Sequence, residues 1–265
     1  MKIANPRFAL AVCMLVGVLS LSAQASYTAA NVKGSYSFLL DEWIASANSN
    51  SGVMGVLTFD GVSAVTGSFT YVTGTGLESG TFEAGSTYTV KPTGSGTITL
   101  LTAGGTITLD FVLTSVTGGV AQGLQILEIE AADLITAGSA IAMNLSGSAS
   151  AANLKGSYSF LTVYWSADPA QTQQANVGTA SFDGVSKVTL SDVQEQGGVE
   201  KNVALSGTYS VNANGTGTMN FTVKGVPLAV DFAMNTITGS LAKGLQFITG
   251  DSTTDKVGTG TGVFQ

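Results

Sequence analysis

The stretch that decides the fold occurs twice in the chain. Residues 30–39 read ANVKGSYSFL and residues 152–161 read ANLKGSYSFL, with nine of the ten positions identical. In the first copy the large side chains of Tyr36 and Phe38 alternate with serines. Alternation with a period of two residues is typical of a β-strand that buries one face. Each copy therefore predicts a strand with one apolar face.

The similarity continues beyond this motif at a constant spacing. The only two tryptophans, Trp43 and Trp165, follow the two motifs, and FDGVSAVT at residues 59–66 matches FDGVSKVT at residues 182–189. The offset lies between 121 and 123 residues along the whole series, and it is 121 for the later matches: 87–90 with 208–211, 94–97 with 215–218, 109–111 with 230–232, and 121–125 with 242–246. A period near 120 residues has the size of a domain and is too long for a solenoid repeat.

We therefore expect two tandem domains, residues 26–147 and 148–265, joined by a flexible linker near residues 146–151. Each copy contains seven or eight short runs rich in β-branched residues, separated by turn-forming glycines. Asp60-Gly61 is a dipeptide favoured in two-residue hairpins. This pattern predicts an all-β protein of two antiparallel up-and-down β-barrels. Two β-sandwiches, or one outer-membrane barrel built from all the strands, are the alternatives.

The motifs Gly-x-Tyr-x-Phe, Phe-Asp-Gly and Tyr-x-Val followed by a Gly-x-Gly-Thr turn resemble those of secreted bacterial tandem β-barrel proteins of unassigned function. Their barrels are similar to the calycin superfamily of lipocalins, avidins and allene oxide cyclase-like proteins. The resemblance covers both copies and implies a calycin-like barrel. Lipocalins open with Gly-x-Trp where this chain has Gly34-Ser35-Tyr36 and Gly156-Ser157-Tyr158. The resemblance therefore transfers no binding residue.

Residues 1–25 predict an export signal. Lys2 and Arg7 precede an apolar run over residues 8–21, and Ala23-Gln24-Ala25 offers the small residues of a cleavage site. We expect a periplasmic, extracellular or cell-surface protein without a transmembrane span after cleavage. Lipidation at Cys13 is the alternative, although Cys13 lies inside the apolar run.

Composition excludes several functions. Removing Lys2 and Arg7 from the ten basic residues leaves eight lysines against seventeen acidic residues, which changes the formal charge from −7 to −9. An acidic chain without arginine is a poor nucleic-acid binder. With no histidine and only Cys13, it is also a poor candidate for zinc, copper or haem sites. We expect no cofactor, no bound metal and no catalytic activity.

The candidate ligand-binding residues are repeated polar and aromatic side chains on the expected strands: Tyr36, Trp43, Asp110, Gln125, Tyr158, Trp165, Asp231 and Gln246. Asp110 and Asp231 each lie between apolar residues and point either into the barrel or to solvent. The aromatic residues either line the mouth of a barrel or fill its end. The two glutamines share this ambiguity.

Other carboxylates are interpreted as surface groups. Glu128 and Glu130 alternate on one strand next to Asp133 and indicate a solvated edge. Asp41-Glu42 corresponds to Val163-Tyr164 in the second copy, which indicates a surface difference between the domains.

Two functions are favoured. A third alternative is an enzyme that uses Asp110 and Asp231 as catalytic carboxylates. The first is an exported, non-catalytic module that binds a small apolar ligand inside one or both barrels. The second is a structural or adhesive protein that self-associates, because duplicated Ser/Thr/Gly-rich strands with little charge can pair with one another.

Overall fold

The computed structural model describes residues 26–44, 49–73, 76–128, 134–166, 174–251 and 256–265. The expected export signal at residues 1–25 and the apolar run around Cys13 lie outside these residues, as do Glu130 and Asp133. Each repeat begins with a short 3₁₀ turn, Ala29–Asn31 or Ala151–Asn153, and continues as antiparallel strands.

The first repeat forms nine strands and the second forms eight. The first-repeat strands are β1 (Lys33–Ile44), β2 (Ser49–Asp60), β3 (Val65–Thr73), β4 (Gly76–Thr81), β5 (Thr87–Val90), β6 (Ser95–Thr102), β7 (Gly105–Thr117), β8 (Val120–Glu128) and β9 (Leu134–Ala142). Those of the second repeat are β10 (Lys155–Ser166), β11 (Gln174–Asp183), β12 (Lys187–Gln196), β13 (Val199–Val211), β14 (Thr216–Val223), β15 (Val226–Thr238), β16 (Leu241–Asp251) and β17 (Lys256–Phe264).

Both repeats are up-and-down meanders whose first strand pairs with the last. In the second repeat, strands β10 to β17 form a closed barrel. In the first, the sheet has the order β4-β3-β2-β1-β9-β8-β7-β6-β5 and stays open between β4 and β5. At one end of this seam, the Val65 N–H donates to the Ser86 carbonyl and the Tyr88 N–H to the Ser63 carbonyl, which joins β3 and the loop before it to β5. There the Glu83 N–H also donates to the Leu101 carbonyl at 2.7 Å and attaches the β4–β5 turn to β6. The prediction of an all-β fold with two β-domains is confirmed, with one barrel closed and the other open.

A difference in chain length explains the open seam. The segment from Gly76 to Thr87 is two residues longer than its counterpart from Val199 to Thr208. The second repeat therefore runs as one continuous strand, β13. In the first repeat the extra length forms a turn, closed by the Ser86 N–H donating to the Glu83 carbonyl at 3.3 Å, and divides the strand into β4 and β5.

The duplicated motif closes one end of each barrel in the same way. Asn31 donates from Nδ2 to the Gly119 carbonyl at 2.7 Å, and Asn153 donates to that of Ser240 at 2.8 Å. In each repeat the asparagine Oδ1 also accepts the N–H three residues earlier, at 2.8 Å. The bonds to Gly119 and Ser240 attach the 3₁₀ turns to the β7–β8 and β15–β16 hairpins, which lie 88 and 87 positions further along the chain.

Tyrosines fill the barrel interior behind this turn. Tyr36 and Tyr158 are fully buried and donate to the carbonyls of Ala121 and Ala242 at 2.7 and 2.8 Å. Burial raises the pKa of both hydroxyls to about 12. A buried hydroxyl must find an acceptor to repay its desolvation, and here the acceptor lies on a distant strand. Each tyrosine therefore connects the first strand to the second-last one.

The Asp-Gly sites do not form the expected two-residue hairpins. Four residues separate β2 from β3 and three separate β11 from β12. The Asp60 carboxylate accepts the N–H groups of Val62, Ser63 and Ala64 at 2.7 to 3.0 Å, and Asp183 does the same in the second repeat. One carboxylate thus replaces several strand hydrogen bonds, and it stabilises a longer loop. These bonds, led by that from Val62, lower the pKa of Asp60.

The two barrels pack side by side through a small apolar contact. In the first barrel Leu39, Met54 and Val72 are buried, with Leu77 packed beside them. These side chains meet Ala233, Ile248 and Val257 of the second barrel, which are at most 2% exposed. The connection between the barrels is attached as well, since the Ala149 N–H donates to the Ala213 carbonyl at 2.9 Å. The expected flexible linker is therefore bound to the second barrel.

The tyrosine hydroxyls provide a test of this closure. Replacing Tyr36 or Tyr158 with Phe should lower the free energy of unfolding by about 1–3 kcal/mol, because a buried carbonyl on β8 or β16 loses its donor. Urea unfolding followed by circular dichroism measures the change. Tyr27→Phe, at a partly exposed position, is the matched control. If Tyr36→Phe and Tyr158→Phe cost no more than the control, the hydroxyls do not stabilise the barrels.

Candidate functional site

The open seam of the first barrel leads into a cavity of about 680 Å³. Its walls come from β1 to β4 and β6 to β9 and from the β6–β7 hairpin. The lining is mainly apolar: Phe38, Leu40, Val53, Leu57, Phe69, Phe82, Leu100, Ile107, Leu109 and Leu134. Because β4 and β6 are not hydrogen-bonded to each other, the interior stays accessible between them.

One buried carboxylate stands in this apolar wall. Glu42 is 8% exposed, and its Oε2 accepts a hydrogen bond from the Ser51 hydroxyl on the neighbouring strand. Burial raises the pKa of Glu42, and the bonds from Ser51 and Tyr71 oppose that rise. The negative charge of Glu128 raises it further. Glu42 therefore has a stronger tendency to hold a proton than a surface glutamate has.

The charged part of the lining is acidic. Glu78, Glu83 and Glu128 line the cavity together with Glu42 and Tyr71, and no lysine is among the lining residues that the structure describes. Glu128, expected on a solvated edge, is only partly exposed and faces the cavity. Next to Glu42 in the β1–β9 register, the Thr136 hydroxyl is buried without a hydrogen-bond partner.

Strand alternation explains how Glu42 becomes a cavity residue. Tyr36, Phe38, Leu40 and Glu42 share one phase of β1, which has no register shift against β2. All four therefore point into the barrel. The interpretation of Asp41-Glu42 as a surface difference is right for the exposed Asp41 and wrong for Glu42. Counting the period from Tyr36 would have placed Glu42 inside.

The second barrel carries different groups at these places. Tyr164 occupies the position of Glu42, and Asp192 occupies that of Phe69, according to the strand registers. Asp192 is 7% exposed, and burial raises its pKa. Its Oδ1 has no hydrogen-bond partner among the described residues. Thr249 replaces Glu128 and donates to the Ala229 carbonyl at 2.8 Å. The two interiors therefore differ in chemistry.

The eight residues singled out from the sequence lie in two kinds of place. Tyr36 and Tyr158 are inside the barrels, with their hydroxyls bonded to backbone carbonyls. Trp43 and Trp165 occupy the opposite phase of β1 and β10 and lie on the outer face. Trp43 is 37% exposed, so it neither lines the mouth nor fills the end of its barrel.

The repeated aspartates and glutamines also lie on the outer face of the barrels. Asp110 is exposed and accepts a hydrogen bond from the Thr97 hydroxyl at 2.8 Å, while the partly buried Asp231 accepts one from Thr218 at 2.7 Å. Gln125 is exposed. Gln246 is buried against the first barrel, where its amide approaches the Ser139 carbonyl at 3.4 Å and its Oε1 lacks a partner. None of these four lines the cavity.

A second concavity, of about 470 Å³, lies between the barrels. Its polar lining includes Ser68, Thr70, Ser79 and Asp231, together with the β13–β14 turn. There the Asn214 amide donates to the Ser68 hydroxyl at 3.1 Å and joins the two barrels. Asp231 is the one residue from the sequence-derived set that lines either concavity.

Within the described ranges, no group of three or more His, Cys, Asp or Glu side chains is arranged to hold a metal ion. The same part of the chain contains no helix with the length and hydrophobicity needed to cross a membrane.

No family model and no curated protein matches the sequence. Among solved structures, the chain is similar to a DUF3598-family protein of unknown function from Nostoc punctiforme, with 7% identity, 89% of this chain and 97% of that chain covered, and a TM-score of 0.26. It is also similar to a candidate AttH protein from Nitrosomonas europaea, with 7% identity, 88% and 92% coverage, and a TM-score of 0.31. TM-scores this low do not establish a shared fold or a shared function. The barrel architecture rests on the strand pairing, and the calycin resemblance stays a prediction.

The raised pKa of Glu42 gives a testable pH dependence. Between the ordinary value of 4.5 and the higher folded pKa, the folded protein binds more protons than the unfolded chain. Stability due to Glu42 is therefore lost as the pH rises through this window. As the pH rises above the ordinary pKa of a glutamate, the free energy of unfolding of the wild type should fall relative to that of Glu42→Gln. Urea unfolding between about pH 4 and pH 8 measures this difference.

The variant Ser51→Ala provides a second test of the same pH dependence. The Ser51 hydroxyl stabilises the ionised carboxylate in the folded protein, so its removal should raise the upper limit of this window and leave its lower limit unchanged. Asp192 has the same sign of shift, but it is present in every variant and cancels in the difference. A constant difference between wild type and Glu42→Gln at all pH values would show that Glu42 titrates normally.

Proposed function

We propose that this protein is an exported, non-catalytic binding protein whose first barrel holds a small, mostly apolar ligand. The observation that supports this proposal is the cavity of about 680 Å³ behind the open seam. Ligand pockets of about 300–1,000 Å³ with mostly apolar walls and a few polar groups are typical of small-molecule sites. Export, to the periplasm or beyond, rests on the signal-like residues 1–25.

The polar groups of the cavity define the end of the ligand that faces Glu42. A carboxylate accepts hydrogen bonds when ionised and donates one when protonated. An ammonium or a hydroxyl on an apolar body fits this group, and so does an amide. A carboxylate or phosphate fits poorly, because Glu78 and Glu128 line the same cavity and like charges repel one another.

A binding role is favoured over catalysis by the chemistry available to the chain. It has no histidine, and its one cysteine lies in the expected signal. Asp110 and Asp231, the carboxylates considered for an enzyme, bond to neighbouring threonines on the outer face. Inside the cavity, Glu42 interacts with Ser51 and Tyr71. A serine activated by a carboxylate alone lacks the base that nucleophilic catalysis normally requires.

Binding can be measured with the neutral fluorescent probe N-phenyl-1-naphthylamine. We expect the purified protein to enhance its fluorescence, and dodecylamine and dodecanol to displace it better than dodecanoate does. Val53→Trp, which adds an indole to the cavity wall, should weaken probe binding at least about tenfold. Val185→Trp, at a loop position that is 71% exposed, is the matched control.

The variant Glu42→Gln separates the cavity from its polar group. It should retain probe binding and discriminate less between dodecanol and dodecanoate, because one of the acidic groups is replaced by a neutral amide. Equal binding by Val53→Trp and wild type would place the probe outside the first barrel and overturn the proposal. Absence of binding by the wild type would overturn it as well.

A further inference from the structure

The two barrels contact each other through unlike faces. We call Ala233, Ile248 and Val257 the covered face of the second barrel, and Leu39, Met54, Val72 and Leu77 the receiving face of the first. The covered face belongs to β15 to β17, the last strands of its repeat. The receiving face belongs to β1 to β4, the first strands of its repeat. The contact is therefore head-to-tail, and one face of each kind has no partner among the residues that the structure describes.

The first barrel has its own version of the covered face. Strand registers identify the equivalent positions, because the repeated residues Asp110, Gln125 and Trp43 pair with Leu127, Val112 and Ile135. In the second barrel, Asp231, Gln246 and Trp165 pair in the same way with Ile248, Ala233 and Val257. We call Val112, Leu127 and Ile135 the free face.

Burial separates the two versions sharply. Ala233, Ile248 and Val257 are 0%, 0% and 2% exposed, whereas Val112, Leu127 and Ile135 are 53%, 52% and 63% exposed. Three large apolar side chains on neighbouring strands thus meet solvent at positions where the other repeat makes its interface. Grouped exposed apolar residues of this kind mark interaction surfaces more often than isolated ones do.

The second barrel likewise has an uncovered version of the receiving face. The pair Leu161 and Val177 corresponds to Leu39 and Met54 and is 51% and 57% exposed. Other positions differ from those of the first barrel: Ala175 for Gly52, Glu195 for Val72, and Glu200 for Leu77. The two glutamates lie directly opposite each other on β12 and β13.

From these equivalences we infer that the protein self-associates head-to-tail, with the free face of one chain docked on Leu161 and Val177 of a second copy. The docking repeats the contact that already joins the barrels within one chain. A heterologous contact of this type produces rings or open chains of molecules instead of closed dimers. Glu195 and Glu200 weaken it, since they place like charges where the intramolecular contact has apolar side chains.

Sedimentation velocity of the purified protein over a range of concentrations tests the inference. The wild type should form oligomers larger than dimers as its concentration rises. Two double variants each remove one face: Leu127→Ser with Ile135→Ser, and Leu161→Ser with Val177→Ser. Each should weaken association at least about tenfold. Mixing these two double variants should give dimers only, because each retains one functional face. Circular dichroism confirms that the variants fold.

A gain-of-association variant and a control complete the design. Glu195→Val with Glu200→Leu restores the side chains of the first barrel and should strengthen association. Val185→Ser, which removes an exposed apolar residue elsewhere, should leave it unchanged. A wild type that stays monomeric at all concentrations overturns the inference. So does a dimer that is sensitive to the free face but not to Leu161 and Val177, which indicates face-to-face pairing.

Discussion

The pairing of the first strand with the last is the constraint on which the rest of the structure depends. Pairing the two ends of a meander covers the edges of its first and last strands, and exposed strand edges favour aggregation. Here β1 pairs with β9, and β10 pairs with β17. The 3₁₀ turn, its asparagine and the buried tyrosine all lie in or next to the duplicated motif, so the residues that close each barrel are the residues that the two repeats share most closely.

Given this closure, the two barrels differ mainly at one seam and at the groups behind it. The longer β4–β5 segment opens the first barrel, and the shorter β13 completes the second. Glu42 lies in the opened barrel, whereas Tyr164 occupies its place in the closed one. A single duplicated scaffold thus carries one accessible interior and one enclosed interior. The interface between the barrels leaves both interiors free, because it uses only outward-facing side chains.

Much of the fold could be predicted from the sequence. The internal repeat, the period of two and the turn glycines were sufficient for the all-β class and for strands close to those observed. The open seam could not be predicted. In the sequence, two additional residues between β4 and β5 cannot be distinguished from a longer loop between paired strands. The Asp60 loop was misassigned, since Asp-Gly begins both short hairpins and carboxylate-stabilised loops.

The candidate site was harder to predict. Repetition directed attention to Asp110, Gln125 and their counterparts, but these four repeated residues belong to the outer faces. The cavity group, Glu42, is a residue that the repeats do not share. Strand phase was the available signal, because it is fixed by Tyr36 and Phe38 six and four positions earlier. Which outward faces are covered depends on the relative placement of the barrels, and no local pattern encodes that.

The seam also has a consequence for how such a protein changes over generations. A closed barrel and an open one differ here by the length of a single hairpin arm, without any requirement to redesign the core. One small insertion or deletion is sufficient to expose or seal an interior, whereas remodelling a packed core by substitution needs several compensating steps. In a duplicated chain the sister repeat preserves the unaltered architecture, so selection can act on the opened copy as a separate trait.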